Sequence, residues 1–218
     1  SGRTTKAYKG LQAGRRIQFE NKEIDYIKDD NGNKVEFITA RIYRNEVATF
    51  RNEKSNYSVK AVHPDHQFLE RTVINEGRYI NQRDINEKTK VVVIGRLVED
   101  DLFLKTTALG KYINLSGIQY KIVGIFSDEG SESEERSIYM PVSTAQQVYG
   151  NNEYIDQINL SYNPDMNFDQ AIAFSKSLEK KLKERFSVAK LDQRAIRVRN
   201  MAEASKNVNQ MMVVLGIL

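Results

Sequence analysis

Val91-Val92-Val93-Ile94-Gly95 is the stretch on which the reading of this chain turns. Four consecutive residues, all branched at Cβ and all apolar, cannot alternate between core and solvent. They predict a strand buried on both faces, which belongs in the middle of a sheet. Gly95 ends the run, and Leu97, Val98, Leu102 and Phe103 then recur at helical spacing. A buried strand that passes at once into an amphipathic helix points to mixed β and α structure.

Working outward, residues 112–115 and 119–126 read as two strands around a Ser116-Gly117 turn, and 127–135 as an acidic, serine-rich loop. Residues 138–142 read as a strand, and Ser143 as the cap of a short helix over 144–149. In 154–162, Ile158, Leu160 and Tyr162 share one face. Asp165 or Asn167 then caps the clearest helix, whose stripe is Phe168, Ala171, Ile172, Ser175, Leu178, Leu182 and Phe186. Residues 195–198 form a brief strand, and a helix is expected from Asn200 through Val208 into the apolar end. Upstream, 21–29 reads as a helix capped by Asn21, followed by the turn Asp30-Asn31-Gly32-Asn33. Strands are expected over 35–43, 47–50 and 57–62, the first two joined around Arg44-Asn45-Glu46, and Pro64 opens a helical turn. The fold class is α+β. A strand-rich centre is inserted between two outer parts, which meet as one subdomain and bring both chain ends together.

Composition sets outer bounds. The chain has 218 residues, 40% hydrophobic and 28% charged, with three prolines and twelve glycines, as in ordinary folded proteins. It holds no cysteine, which removes disulfides, thiolate metal sites and cysteine nucleophiles together. The net charge of +4 is unevenly spread: residues 1–20 carry +4, residues 176–206 carry +6, and the remainder is acidic. The bases are not interleaved with aromatic residues and form no nucleic-acid motif, so no nucleic-acid partner is expected. The uncharged run Met211, Met212, Val213, Val214, Leu215, Gly216, Ile217, Leu218 has two readings, a terminal helix against the core or the start of a membrane span, which needs about 20 apolar residues. Basic charge gathered near both ends favours the second, because it suits anionic headgroups. The opening Ser1-Gly2-Arg3, without an initiator methionine, reads as part of a longer chain.

Catalytic chemistry finds no foothold. His63 and His66, the two histidines of the chain, flank Pro64 and Asp65. Zinc needs three or four ligands, and Pro64 keeps the two histidines off a regular helix turn, so the expectation is a structural or surface role. Leu115-Ser116-Gly117-Ile118-Gln119 echoes the signature of ABC ATPases, but it falls between strands, and the chain has no GxxxxGK[ST] loop. Gly95 alone does not make a dinucleotide fingerprint. No catalytic, cofactor or metal site is expected, and the chain does not read as an enzyme.

A family pattern runs through residues 62–158. It comprises Val62-His63-Pro64-Asp65-His66-Gln67-Phe68, Glu76-Gly77-Arg78-Tyr79-Ile80, Asp84, Val91–Gly95, Leu102-Phe103, Leu109-Gly110-Lys111, Tyr120-Lys121-Ile122-Val123-Gly124-Ile125 and Ile138-Tyr139-Met140-Pro141-Val142-Ser143-Thr144-Ala145. In order and spacing this resembles the periplasmic core of MacB-type ABC-transporter permeases. Gly10-Leu11 and Gly14-Arg15-Arg16-Ile17 resemble the segment just after the first membrane helix in such permeases. The segments 127–135 and 33–57 depart from the pattern.

The resemblance implies a porter-like, membrane-proximal subdomain over 1–61 plus 150–207, an inserted subdomain over 62–149, and the start of a transmembrane helix over 208–218. It makes Gly77, Asp84, Gly95, Leu102, Phe103, Gly110, Gly124 and Pro141 structural positions, and Met211, Met212, Val213, Val214, Leu215, Ile217 and Leu218 membrane-entry positions. It also implies an ABC ATPase partner, fused or separate, a permease dimer, a periplasmic adaptor and a place on the periplasmic side of a bacterial inner membrane. Its function would be to couple ATP-driven helix motion to efflux or to lipoprotein or peptide export. The alternative is a membrane-anchored sensing or adhesion domain.

Overall fold

The computed structural model describes residues 2–104, 106–200 and, for the backbone alone, 211–215. It divides into two compact units, Ser1–Ala40 with Glu153–Leu218, and Arg41–Asn152.

The first unit opens on a segment closed by the bridges Arg3↔Arg16 and Tyr8↔Leu11. Strand β1 (Phe19–Glu20) passes directly into helix α1 (Asn21–Asn31). Glu20, not Asn21, is the cap residue: its N–H donates to the Glu23 carboxylate at 2.6 Å, satisfying a donor that the helix start leaves open. Ile24 and Ile27 are buried, as their spacing demands. A 3-10 turn (Gly32–Lys34) leads into β2 (Val35–Phe50).

From Arg41 onward β2 belongs to the second unit and pairs antiparallel with β3 (Glu53–Val62) in continuous register from Arg41↔Val62 to Phe50↔Glu53. The turn expected at Arg44-Asn45-Glu46 is therefore mid-strand, and the chain reverses instead at Arg51, which has a φ of 53°. Glu46 explains the misleading signal: it is buried and takes a hydrogen bond from Ser116 Oγ, so a polar triplet sits inside a strand. The unit continues through α2 (His66–Leu69), β4 (Val73–Gly77), α3 (Gln82–Glu87), β5 (Val91–Gly95), α4 (Arg96–Phe103), β6 (Tyr112–Leu115), β7 (Ile118–Ser127), α5 (Glu132–Glu135), β8 (Ser137–Pro141) and α6 (Val142–Tyr149). The strand order is β2-β3-β8-β5-β7-β4, with β6 pairing to β2 and β7. β5 lies between β8 and β7, and Val92, Val93 and Ile94 are fully buried, which is what its unbroken apolar run requires.

The chain returns to the first unit in β9 (Tyr154–Ile155), paired with β1, and β10 (Gln157–Tyr162), neighbour to β2. Helix α7 (Phe168–Arg185) starts at Asn167, whose side chain accepts from Gln170 N at 2.9 Å. It buries Ala171, Phe174, Ser175, Leu178 and Leu182. Strands β11 (Arg197–Asn200) and β12 (Met211–Leu215) complete the order β11-β12-β10-β2.

Two expectations change. The second unit begins at Arg41 rather than at 62, because the outer half of β2 is committed to β3, and it ends at Asn152 rather than at 149. Residues 201–210 and 216–218, part of the helix expected from Asn200, lie outside the described residues. Met211–Leu215 is a strand, antiparallel to both β10 and β11. Five residues with adjacent β-branched valines pair their backbone groups on both sides there.

Candidate functional site

The second unit carries a buried polar network where β3 gives way to α2. Pro64 lacks the N–H a ladder needs and turns the chain, so that His66 N bonds His63 O and the His66 ring points inward with no exposure. Arg41 on β2 donates from Nε to His66 Nε2 at 3.0 Å, from Nη1 to Tyr43 Oη at 3.1 Å, and from Nη2 to the Glu70 carboxylate. Because arginine only donates, Nε2 must accept. The proton then sits on Nδ1, 3.0 Å from Tyr79 Oη. Burial first, then the nearby Arg41 and Lys60 charges, hold His66 well below its ordinary pKa, so the ring is neutral. Tyr139 packs at a tilt against His66, with ring centroids 5.0 Å apart, and donates its hydroxyl to Glu134 Oε2 at 3.1 Å. Lys60 Nζ reaches both Glu134 oxygens, at 2.7 and 2.6 Å. Burial alone would raise the Glu134 pKa, but Lys60 and Tyr139 hold it below the ordinary value.

This arrangement pins α2 and α5 to the sheet. It pairs cations with carboxylates and ring nitrogens with a guanidinium and a phenol, and it contains no serine, threonine or cysteine poised as a nucleophile. Arg41, Lys60, Glu70 and Glu134 could not be singled out from sequence. Lys60 alternates outward in a strand, and Glu134 stands in an acidic, serine-rich stretch that reads as solvated.

The family-pattern positions all fall in the second unit. Gly77 and Gly124 are register partners on β4 and β7. Gly77 has a φ of +73°, and a Cβ there would press into the Val123 carbonyl, while one on Gly124 would press into the Arg78 carbonyl. Beside them Asp84 takes two bonds from Arg78, at 2.6 and 3.1 Å, one from Asn81 N at 3.0 Å and one from Thr89 Oγ1 at 2.8 Å. Gly110 N bonds Ile122 O at 2.9 Å on the same β7. Gly95 ends β5 against the Glu135 backbone. Leu102 and Phe103 are buried on α4, and Phe103 stacks on Phe50 at 3.9 Å. Pro141 ends β8 and precedes α6. Of the membrane-entry residues, Met211–Leu215 lie in β12, and Ile217 and Leu218 lie outside the described residues. Among the described residues no helix is long and apolar enough to cross a membrane.

Mixed strands and helices in two units match the extracytoplasmic domains of ABC-type transporters in fold. Residues 2–174 match the model of the MacB-like periplasmic core domain, and the chain belongs to that family. It is 23% identical over 212 residues to the macrolide export ATP-binding/permease protein MacB of Bdellovibrio bacteriovorus, an alignment covering 95% of this chain and 32% of that protein. It is 32% identical over 89 residues to the pyoverdine export ATP-binding/permease protein PvdT of Pseudomonas aeruginosa, covering 38% and 13%. The chain thus spans about a third or less of the length of these relatives. The periplasmic region of MacB from Actinobacillus actinomycetemcomitans superposes with a TM-score of 0.70 at 18% identity, over 80% of this chain and 78% of that one. The extracellular domain of the noncanonic ABC-type transporter YknZ gives 0.69 at 17%, over 79% and 87%.

Proposed function

We propose that this domain couples ATP-driven motion of membrane helices to the handling of a substrate or partner outside the inner membrane, in efflux or in lipoprotein or peptide export. The observation that carries the reading is that Ser1–Ala40 and Glu153–Leu218 form one compact unit, with Arg41–Asn152 inserted between them. A unit that contains both ends of the domain is suited to take displacement from two membrane helices. The inserted unit, with its interlocked network, is suited to pass that displacement on as a rigid body. On this reading the chain beyond β12 leads into the second membrane helix. The engine is an ABC ATPase, on the same polypeptide or a separate one. The permease works as a dimer, with a periplasmic adaptor as a further partner, and this domain performs no catalysis of its own.

The test is reconstitution of the full-length protein with its ATPase in sealed vesicles. Transport that requires ATP, is lost when Arg41–Asn152 is removed, and leaves ATP turnover measurable is the expected result. ATP-driven transport undiminished by that deletion would remove the coupling role. A native gene with a membrane helix on one side only, and no partner ATPase, would leave the anchored-sensor alternative in its place.

A further inference from the structure

In the first unit, Asp192 joins two surfaces that the transport reading leaves without a task. Its fully buried carboxylate accepts from Thr5 N at 2.7 Å, Thr5 Oγ1 at 2.9 Å and Lys6 N at 3.2 Å, and from Arg194 N and Ala195 N. This bolts the N-terminal segment to the loop after α7. On one side of the bolt is the Tyr8–Leu11 bridge, where Tyr8 and Leu11 are 37% and 40% exposed and Lys9 Nζ lies 5.5 Å from the centre of the Tyr8 ring. On the other is a groove of about 530 Å³ whose lining includes Lys176, Lys180, Lys183, Lys190, Glu179 and Leu191.

The groove is basic beyond its internal needs. Glu179, the single acid of its lining, is paired with Lys183 at 2.9 Å, and Lys183 Nζ also bonds Lys190 O at 2.9 Å. Lys176, Lys180 and Lys190 have no ion pair among the described residues and face solvent. Leu191 is 72% exposed, more than any other large hydrophobic side chain among the described residues. Lysines alone would fit an acidic peptide as well as a membrane. A bare leucine beside them, with a second exposed pair, Tyr8 and Leu11, next to Lys6 and Lys9, fits a surface that is anionic outside and apolar just beneath.

We infer that this surface rests on acidic phospholipid headgroups, with Lys176, Lys180 and Lys190 at the phosphates and Leu191 reaching toward the acyl boundary. The inference builds on the membrane-side placement proposed above. It adds a direct lipid contact made by the folded domain itself, separate from any membrane-spanning helix.

The test is co-sedimentation of the 218-residue chain with vesicles of phosphatidylcholine containing phosphatidylglycerol, and with phosphatidylcholine alone. Binding to the acidic vesicles only, weakening as salt is added, is expected. The triple variant Lys176→Gln, Lys180→Gln, Lys190→Gln should lower the partition coefficient on the order of a hundredfold. Its unfolding temperature should hold, since no ion pair is removed. Leu191→Ser should cost on the order of fivefold or more with the salt slope kept. Equal binding by the triple variant, equal binding to both vesicle types, or no binding overturns the inference. So does polyglutamate binding that is lost in the triple variant while vesicles are ignored, which would assign the groove to an acidic protein segment. The two proposals fail separately: missing vesicle binding leaves ATP-driven transport by the full-length protein untouched, and missing transport leaves vesicle binding untouched.

Discussion

Asp84 and His66 are buried in the same unit, and the protein treats their charges in opposite ways. Burial by itself would raise the Asp84 pKa. The Arg78 guanidinium, the Asn81 N–H and the Thr89 hydroxyl together hold it below the ordinary value, so the carboxylate stays charged. Its stabilising effect is complete above the unfolded-state value near 3.8 and is lost as pH falls through the lower folded-state value. Asp84→Ala removes a cap and leaves the Asn81 N–H and the Thr89 hydroxyl without their acceptor. It is expected to cost about 2–4 kcal/mol, read as a lowered urea midpoint at unchanged slope. For His66 the depressed pKa means the folded state refuses a proton that the unfolded chain accepts. Stability should therefore begin to fall as pH drops below about 6.5 and keep falling until the folded-state pKa is reached. His66→Gln should lower stability at pH 7 and flatten that acid slope in chemical denaturation between about pH 7 and pH 5. An unaltered slope would assign the acid sensitivity to other groups. Sequence could place His66 only as a residue after a proline. Its partners Arg41 and Tyr79 are 25 and 13 residues away, so the network was invisible to local pattern.

At the scale of elements, α5 shows how a segment without periodic signal becomes ordered. Four residues cannot sustain a helix by themselves. α5 is held by Ser131 capping Glu134 N at 3.3 Å, by Glu134 on Lys60 and Tyr139, and by Glu135 bridging Arg96 at 2.8 Å and Asp128 N at 3.1 Å. Glu134→Gln with Glu135→Gln should loosen α5 and speed trypsin cleavage after Arg136 on the order of tenfold, since local opening governs proteolysis. An unchanged cleavage rate would mean that packing alone orders the segment. The long amphipathic α7 and the central strand β5 were legible because their apolar periods are unambiguous. The β2–β3 hairpin was not, because buried Glu46 puts polar character inside a strand. β12 was not, because a short uncharged apolar run suits a membrane helix as well as a sheet interior, and only the backbone partners on β10 and β11 distinguish them.

For the whole molecule, the α+β class and the inserted arrangement were legible because the order of elements is set by local signals along one chain. The division at Arg41 was not, because it depends on which neighbour claims the second half of β2. If the domain couples to ATP hydrolysis as proposed, the link passes through the chain on either side of it. Rigidity of that link is then the quantity on which coupling depends. A continuous element transmits displacement, whereas a pair of glycines absorbs it by bending. Two glycines inserted after Leu215, where β12 ends, should leave the unfolding curve of the 218-residue chain nearly unchanged. In the full-length protein with its ATPase, the same insertion should preserve ATP turnover and abolish most transport. Two alanines inserted at the same point lengthen the link without softening it, so they separate loss of stiffness from change of register. Transport retained with the glycines would refute rigid coupling through this segment. Transport lost equally with glycines and alanines would show that register, not stiffness, carries the signal between ATP and the extracytoplasmic domain.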